Sequence, residues 1–135
     1  MVAMNKGSYL LILELEDTVV YTAGNRWELS AGYYVYVGSA MGTLTGRLKR
    51  HLESKDTTRW HVDHLKPENH IVAAILVPSG QRIEERLSNY LSSMAEAVKG
   101  FGCSDCSTQS NLYRVDRNVL QKVLMQILDM RRENS

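Results

Sequence analysis

The sequence predicts a small α+β domain in which a mainly antiparallel β-sheet is flanked by helices and an amphipathic helix closes the chain. Three observations lead there. Short apolar and β-branched runs separated by turn residues recur through the first half. An aromatic run ends in glycine and leads into a basic helical pattern, and an apolar stripe of helical period lies near the C-terminus.

At 135 residues the chain suits one domain, which at this size buries roughly two thirds of its unfolded surface without disulfide or metal staples. Hydrophobic residues make up 44% and charged residues 23%, with two prolines, which excludes disordered and fibrous classes. No apolar run approaches the ~20 residues that span a bilayer, and the opening MVAMNKGSY lacks the basic-then-apolar layout of a signal peptide. A cytoplasmic protein with no membrane attachment is expected.

Ser8 to Leu15 (SYLLILEL) and Thr18 to Thr22 (TVVYT) read as the two strands of a hairpin turned at Glu16 and Asp17. A second turn is expected at Asn25 and Arg26, after Gly24. Gly32 opens a strand, Tyr33 to Val37, that sends Tyr34 and Tyr36 to one face and Tyr33, Val35 and Val37 to the other. Gly38 ends that strand. Thr43 or a neighbour then caps a helix running to about Ser54, with Leu44, Leu48 and Leu52 as its buried stripe. At about 100° per residue, Arg47 and His51 lie roughly 40° apart on one border of the stripe, beside the core, while Lys49 and Arg50 point toward solvent.

Arg59 to Lys66 (RWHVDHLK) is compatible with either strand or helix. Ile71 to Val77 (IVAAILV) is a continuous apolar run of the kind found in a central strand, ended by Pro78. Ser79 can cap a helix from about Gln81 to Lys99 whose inner face carries Ile83, Leu87, Tyr90, Leu91 and Met94. Glu84 borders that face and Glu85 points roughly opposite. A loop, Gly100 to Asn111, precedes a short strand, Leu112 to Val115. Asp116 caps the last helix, on which Val119, Leu120, Val123, Leu124, Ile127 and Leu128 form one apolar face. That face either packs on its own sheet or pairs with a second copy, so monomer and homodimer both stay open.

The formal net charge of +1 conceals a basic window from Arg47 to Lys66, where six Lys/Arg stand against three acids and give +3. His51, His61 and His64 fall inside it and His70 lies just beyond. Such a patch suits a phosphate-binding face, with Lys49, Arg50, Arg59 and His61 as nucleic-acid contacts, and on charge alone it suits a solvated helix face equally well. Cys103 and Cys106 form one CxxC with no second pair for a zinc site and no thioredoxin-like pattern around it. A reduced pair is expected, with Ser104, Asp105 and Asn111 shaping the rim of a site.

Gly7-Ser8-Tyr9, Tyr36-Val37-Gly38, then Arg47 and His51 on the following helix and a later Glu84 resemble, in that order, the GIY-YIG nuclease superfamily. The closer likeness is to its branch known as DUF123, echoed in Tyr34-Val35-Tyr36-Val37-Gly38-Ser39-Ala40, in Trp60-His61-Val62-Asp63 and in Phe101-Gly102-Cys103-Ser104-Asp105-Cys106. The resemblance runs from about Gly7 to Val115. It implies a metal-dependent endonuclease acting on DNA, with repair intermediates as substrates, one Mg²⁺ or Mn²⁺ held by Glu84, and no organic cofactor. The alternative is a non-catalytic nucleic-acid-binding module that keeps the fold. Two features depart from the superfamily. The separation of Tyr9 from Tyr36 is long, so either strand residues are inserted or Gly32-Tyr33-Tyr34 takes the first-motif role. Thr108 and Asn111 also stand where relatives of this branch carry a cysteine and a histidine.

Under that resemblance Tyr9 is expected to be the general base toward water. A free phenol titrates near 10, so the positive charge of Arg47 and the metal must draw it down. Tyr36 would orient the water or a phosphate oxygen, His51 would share in proton handling, and Arg47 would grip the non-bridging oxygens. Tyr34, Gly38 and Asp63 complete the neighbourhood.

Overall fold

A computed structural model describes residues 5–22, 25–40, 42–53, 65–66, 70–79, 83–98, 101 and 110–133. In chain order the elements are β1 (Gly7–Leu15), β2 (Thr18–Thr22), β3 (Asn25–Leu29), β4 (Gly32–Ala40), α1 (Leu44–Leu52), β5 (Ile71–Pro78), α2 (Glu84–Ser92), β6 (Glu96–Ala97), β7 (Leu112–Val115) and α3 (Arg117–Glu133). Five strands form one sheet in the order β5-β1-β4-β7-β6, every neighbouring pair antiparallel, and β2 with β3 forms a separate two-stranded ribbon. The expected α+β class, with its C-terminal helix, is what the chain adopts. Among the described residues no helix is long and apolar enough to cross a membrane.

The period of two along β1 explains the layering. Tyr9, Leu11, Leu13 and Leu15 fall on one face, where they pack with Tyr34 and Tyr36 of β4, Leu44 of α1 and Val20 and Leu29 of the ribbon. Leu10 and Ile12 fall on the other, against Val35, Val37 and the inner residues of α2 and α3. Helix α1 and the ribbon therefore share one side of the sheet, and α2 with α3 the other.

Several local expectations give way. The hairpin between β1 and β2 does not form, because β1 is apolar on both faces and takes a strand on each side, β4 and β5, leaving β2 to pair with β3. Asn25 and Arg26 accordingly lie in a strand rather than a turn. Gly38 does not end β4, which continues to Ala40 opposite Gly7. Strand β5 is an edge, with Val72 and Leu76 exposed, and not a central strand. Its apolar composition matches a central strand, but which side receives a partner is decided elsewhere in the chain.

Helix α2 stops at Ser92 instead of continuing to Lys99. The hydroxyls of Ser92 and Ser93 donate to the carbonyls of Asn89 and Tyr90 at 2.8 and 2.6 Å, a local competition that favours helix ends, and the chain then turns into β6. Its N-cap is Ile83 and not Ser79. Asp116 does cap α3, its Oδ1 accepting from the Val119 N–H at 2.9 Å. On α3, Val119, Leu120, Val123 and Ile127 turn to the sheet with Met130, whereas Leu124 and Leu128 face outward.

Candidate active site

Strand β1 delivers Tyr9 and strand β4 delivers Tyr36 to one face of the sheet. Tyr9 lies opposite Gly38, and Leu11 opposite Tyr36, so the two tyrosines are diagonal neighbours whose ring centroids stand 6.4 Å apart. The long sequence separation between them is taken up by the β2–β3 ribbon, which lies outside the five-stranded sheet. The insertion reading thus matches the geometry. Tyr33 sits on the opposite face. Tyr34 shares the face of Tyr36, but its hydroxyl donates to the Ser30 carbonyl at 2.6 Å, and burial pushes its pKa above the ordinary value near 10, the reverse of what a base needs.

Two glycines of the motif-like triplets have physical reasons. Gly7 has φ of +142°, and a side chain there would collide with the Val77 carbonyl oxygen across the β1–β5 pair. At Gly38 the reason is space. A Cβ would run into the ring and hydroxyl of Tyr9, so glycine is what lets that ring lie across β4.

Helix α1 completes the group from above. Its N-terminus is held by Asn5, whose side-chain amide donates to the Thr45 hydroxyl at 2.9 Å while its Oδ1 accepts the Thr45 N–H at 3.1 Å. Thr43 occupies the N-cap position but makes no side-chain capping bond. So anchored, the helix turns His51 rather than Leu52 onto the sheet: His51 is fully buried and Leu52 is 51% exposed. The His51 Nε2 and the Tyr9 hydroxyl are 2.9 Å apart, and the His51 ring lies 6.2 Å from that of Tyr36. One turn earlier, Arg47 donates to the Ser39 carbonyl at 3.0 Å, which brings the guanidinium to the C-terminal end of β4. Lys49 is exposed and 3.8 Å from Glu53, whereas Arg50 is half-buried instead of fully solvent-facing.

Glu84 belongs to a second group. It opens α2, and its Oε1 accepts from the Asn111 amide at 3.0 Å, while the Ser88 hydroxyl donates to Asn111 Oδ1 at 3.5 Å. The Asn111 carbonyl in turn accepts the Val37 N–H at 2.9 Å, extending the β4–β7 edge by one step toward Gly38. Parity along β4 puts the Asn111 side chain on the α2 side, at the Gly38 end of β4. Ser88 was missed in the sequence because a serine on a helix carries no signal of its own; its value comes from reaching Asn111.

Among the described residues no three His, Cys, Asp or Glu side chains gather as a metal cage. A single carboxylate fixed by an amide donor is still a sufficient protein anchor for a hard divalent ion that keeps most of its waters. Arg59, His61, Asp63, Ser104 and Asp105 lie outside the described residues, as do Cys103 and Cys106.

The chain matches no curated protein and no solved structure. Residues 8–132 match a family model described as a domain of unknown function, DUF123. That match spans nearly the whole chain and takes in both tyrosines, α1, Glu84 and α3, so the protein belongs to the DUF123 family.

Proposed function

We propose that this protein is a divalent-metal-dependent endonuclease of the GIY-YIG kind, hydrolysing phosphodiester bonds in DNA. The observation that carries the reading is the Tyr9–His51 contact at 2.9 Å with Tyr36 beside it: β1 and the distant β4–α1 unit bring a phenol, an imidazole and a second phenol together. Arg47 at the end of β4 supplies the cation that phosphate oxygens require. His51 accepts or returns the Tyr9 proton, and Tyr36 orients the attacking water. Glu84, oriented by Asn111, would hold Mg²⁺ or Mn²⁺, which when bound neutralises charge developing on the phosphoryl group.

A second reading, a non-catalytic nucleic-acid-binding module, is favoured by the closure of the cluster: Tyr9 is 2% exposed, His51 0% and Tyr36 6%. The two readings part in one experiment. The protein is incubated with Mg²⁺ or Mn²⁺ and nicked, flapped and junction DNAs, beside Arg47→Ala and Glu84→Ala, while binding is followed separately by fluorescence anisotropy. Cleavage lost in both variants supports the nuclease. Salt-sensitive binding without cleavage, unaffected by chelation and weakened by Arg47→Ala and Arg50→Ala, supports the module. DNA repair as the setting follows only from cleavage of the branched substrates over plain duplex.

A further inference from the structure

Helix α3 carries two apolar faces. Val119, Leu120, Val123, Ile127 and Met130 pack toward the sheet, whereas Leu124, Met125 and Leu128 lie on the outer side at 47%, 58% and 59% exposure. At about 100° per residue those three fall within a stripe roughly 100° wide, the width of a helix-packing seam.

We propose that this stripe is the contact of a homodimer in which α3 lies antiparallel against α3 of a second copy across a twofold axis. Charge sets the register. Lys122 and Asp129 are both exposed and sit on the same flank of the stripe, roughly 20° apart in projection. In an antiparallel pair related by a twofold, same-flank positions face each other. An axis passing between residues 125 and 126 therefore sets each Lys122 level with Asp129 of the other copy, giving two reciprocal ion pairs. A parallel pair in register would instead level lysine with lysine and aspartate with aspartate.

The same axis interleaves the apolar side chains. Along the seam, Leu128 of one copy is followed by Leu124 and Met125 of the other, then by Met125 and Leu124 of the first, then by the second Leu128. One axis thus satisfies both the charges and the apolar stripe, which is why the occupant is a second copy and not an unrelated protein. The pairing also leaves the candidate site uncovered, since α3 packs on the face of the sheet opposite Tyr9, Tyr36 and His51.

Three apolar side chains per copy bury well under the ~800 Å² per partner of a standard interface, so association is reversible and concentration-dependent. Sedimentation equilibrium on the full chain tests this. The weight-average mass should rise from one chain toward two as concentration increases, and Leu128→Glu should hold it at one. Lys122→Glu should weaken association several-fold, and adding Asp129→Lys to that variant should restore it. Each of these changes is at the surface, and circular dichroism checks that the fold is kept. A mass of one chain at every concentration overturns the proposal. So does a dimer indifferent to Leu128→Glu, or a double charge swap no stronger than Lys122→Glu alone.

Discussion

The Tyr9 hydroxyl meets the His51 Nε2 at 2.9 Å although 42 positions separate the two residues. The bond ties Tyr9 of β1 to the last turn of α1, and it explains which way that helix is rotated. A leucine at position 52 had the stronger claim to the core on hydrophobicity, yet it is His51 that is buried. A polar group taken inside must keep its hydrogen bonds, and Tyr9 supplies one.

Deleting this bond from either side should cost stability. Tyr9→Phe takes the phenol from a buried imidazole and His51→Leu takes the imidazole from a buried hydroxyl, and each should cost about 1–3 kcal/mol. In a double-mutant cycle followed by urea unfolding, a coupling of about 0.5–3 kcal/mol is expected. Additive losses would mean that the contact does not hold α1 in place.

Gly38→Ala is expected to destabilise by about 1–3 kcal/mol, because the new methyl must displace a buried tyrosine ring. Gly42→Ala is the control, since a Cβ there has open space around it and should change stability by less than about 0.5 kcal/mol. If the two variants unfold at the same denaturant concentration, the close approach of Tyr9 to β4 is wrong.

Alkaline pH should unfold the protein through Tyr34 and Tyr113. Burial is the first cause of the raised pKa of each, opposed at Tyr34 by Arg114 and at Tyr113 by the Ser88 hydroxyl bond. Each hydroxyl also donates to a carbonyl, Tyr34 to Ser30 and Tyr113 to Ser110. A group whose folded value exceeds its unfolded one binds its proton more tightly when folded. Its contribution is complete below the unfolded value near 10 and is lost as pH rises toward the folded value. Tyr113→Phe and Tyr34→Phe should each flatten the fall in melting temperature above pH ~10, and an unchanged alkaline limb in both would contradict the assignment.

Asn111→Ala removes the donor that orients Glu84 without touching the carboxylate. If Glu84 anchors the ion, the Mn²⁺ concentration for half-maximal cleavage should rise about tenfold or more, the usual effect of losing an orienting partner. An unaltered metal dependence would place the ion elsewhere.

Much of the fold was legible because it rests on local pattern. The alternation in β4, the apolar stripe of α3 and the Asp116 cap are each encoded within a few residues, and each is found in place. Strand pairing was less accessible. SYLLILEL followed by a short polar turn and TVVYT looks like a hairpin at close range. Only the burial of both faces of β1 makes β4 and β5 its neighbours. The capping of α1 by Asn5 likewise links segments too distant for any local rule.

The sequence by itself determined the class of fold, the faces on which the tyrosines lie, and Arg47 and His51 as residues bordering the core, because periodicity and helical geometry operate over neighbouring residues. The tertiary structure decided which tyrosine stands beside Tyr36, that His51 is buried against it, and that Glu84 is held by Asn111, which Ser88 holds in turn. Those relationships depend on strand order and on how each helix is rotated about its own axis, and both are set by burying the whole chain at once.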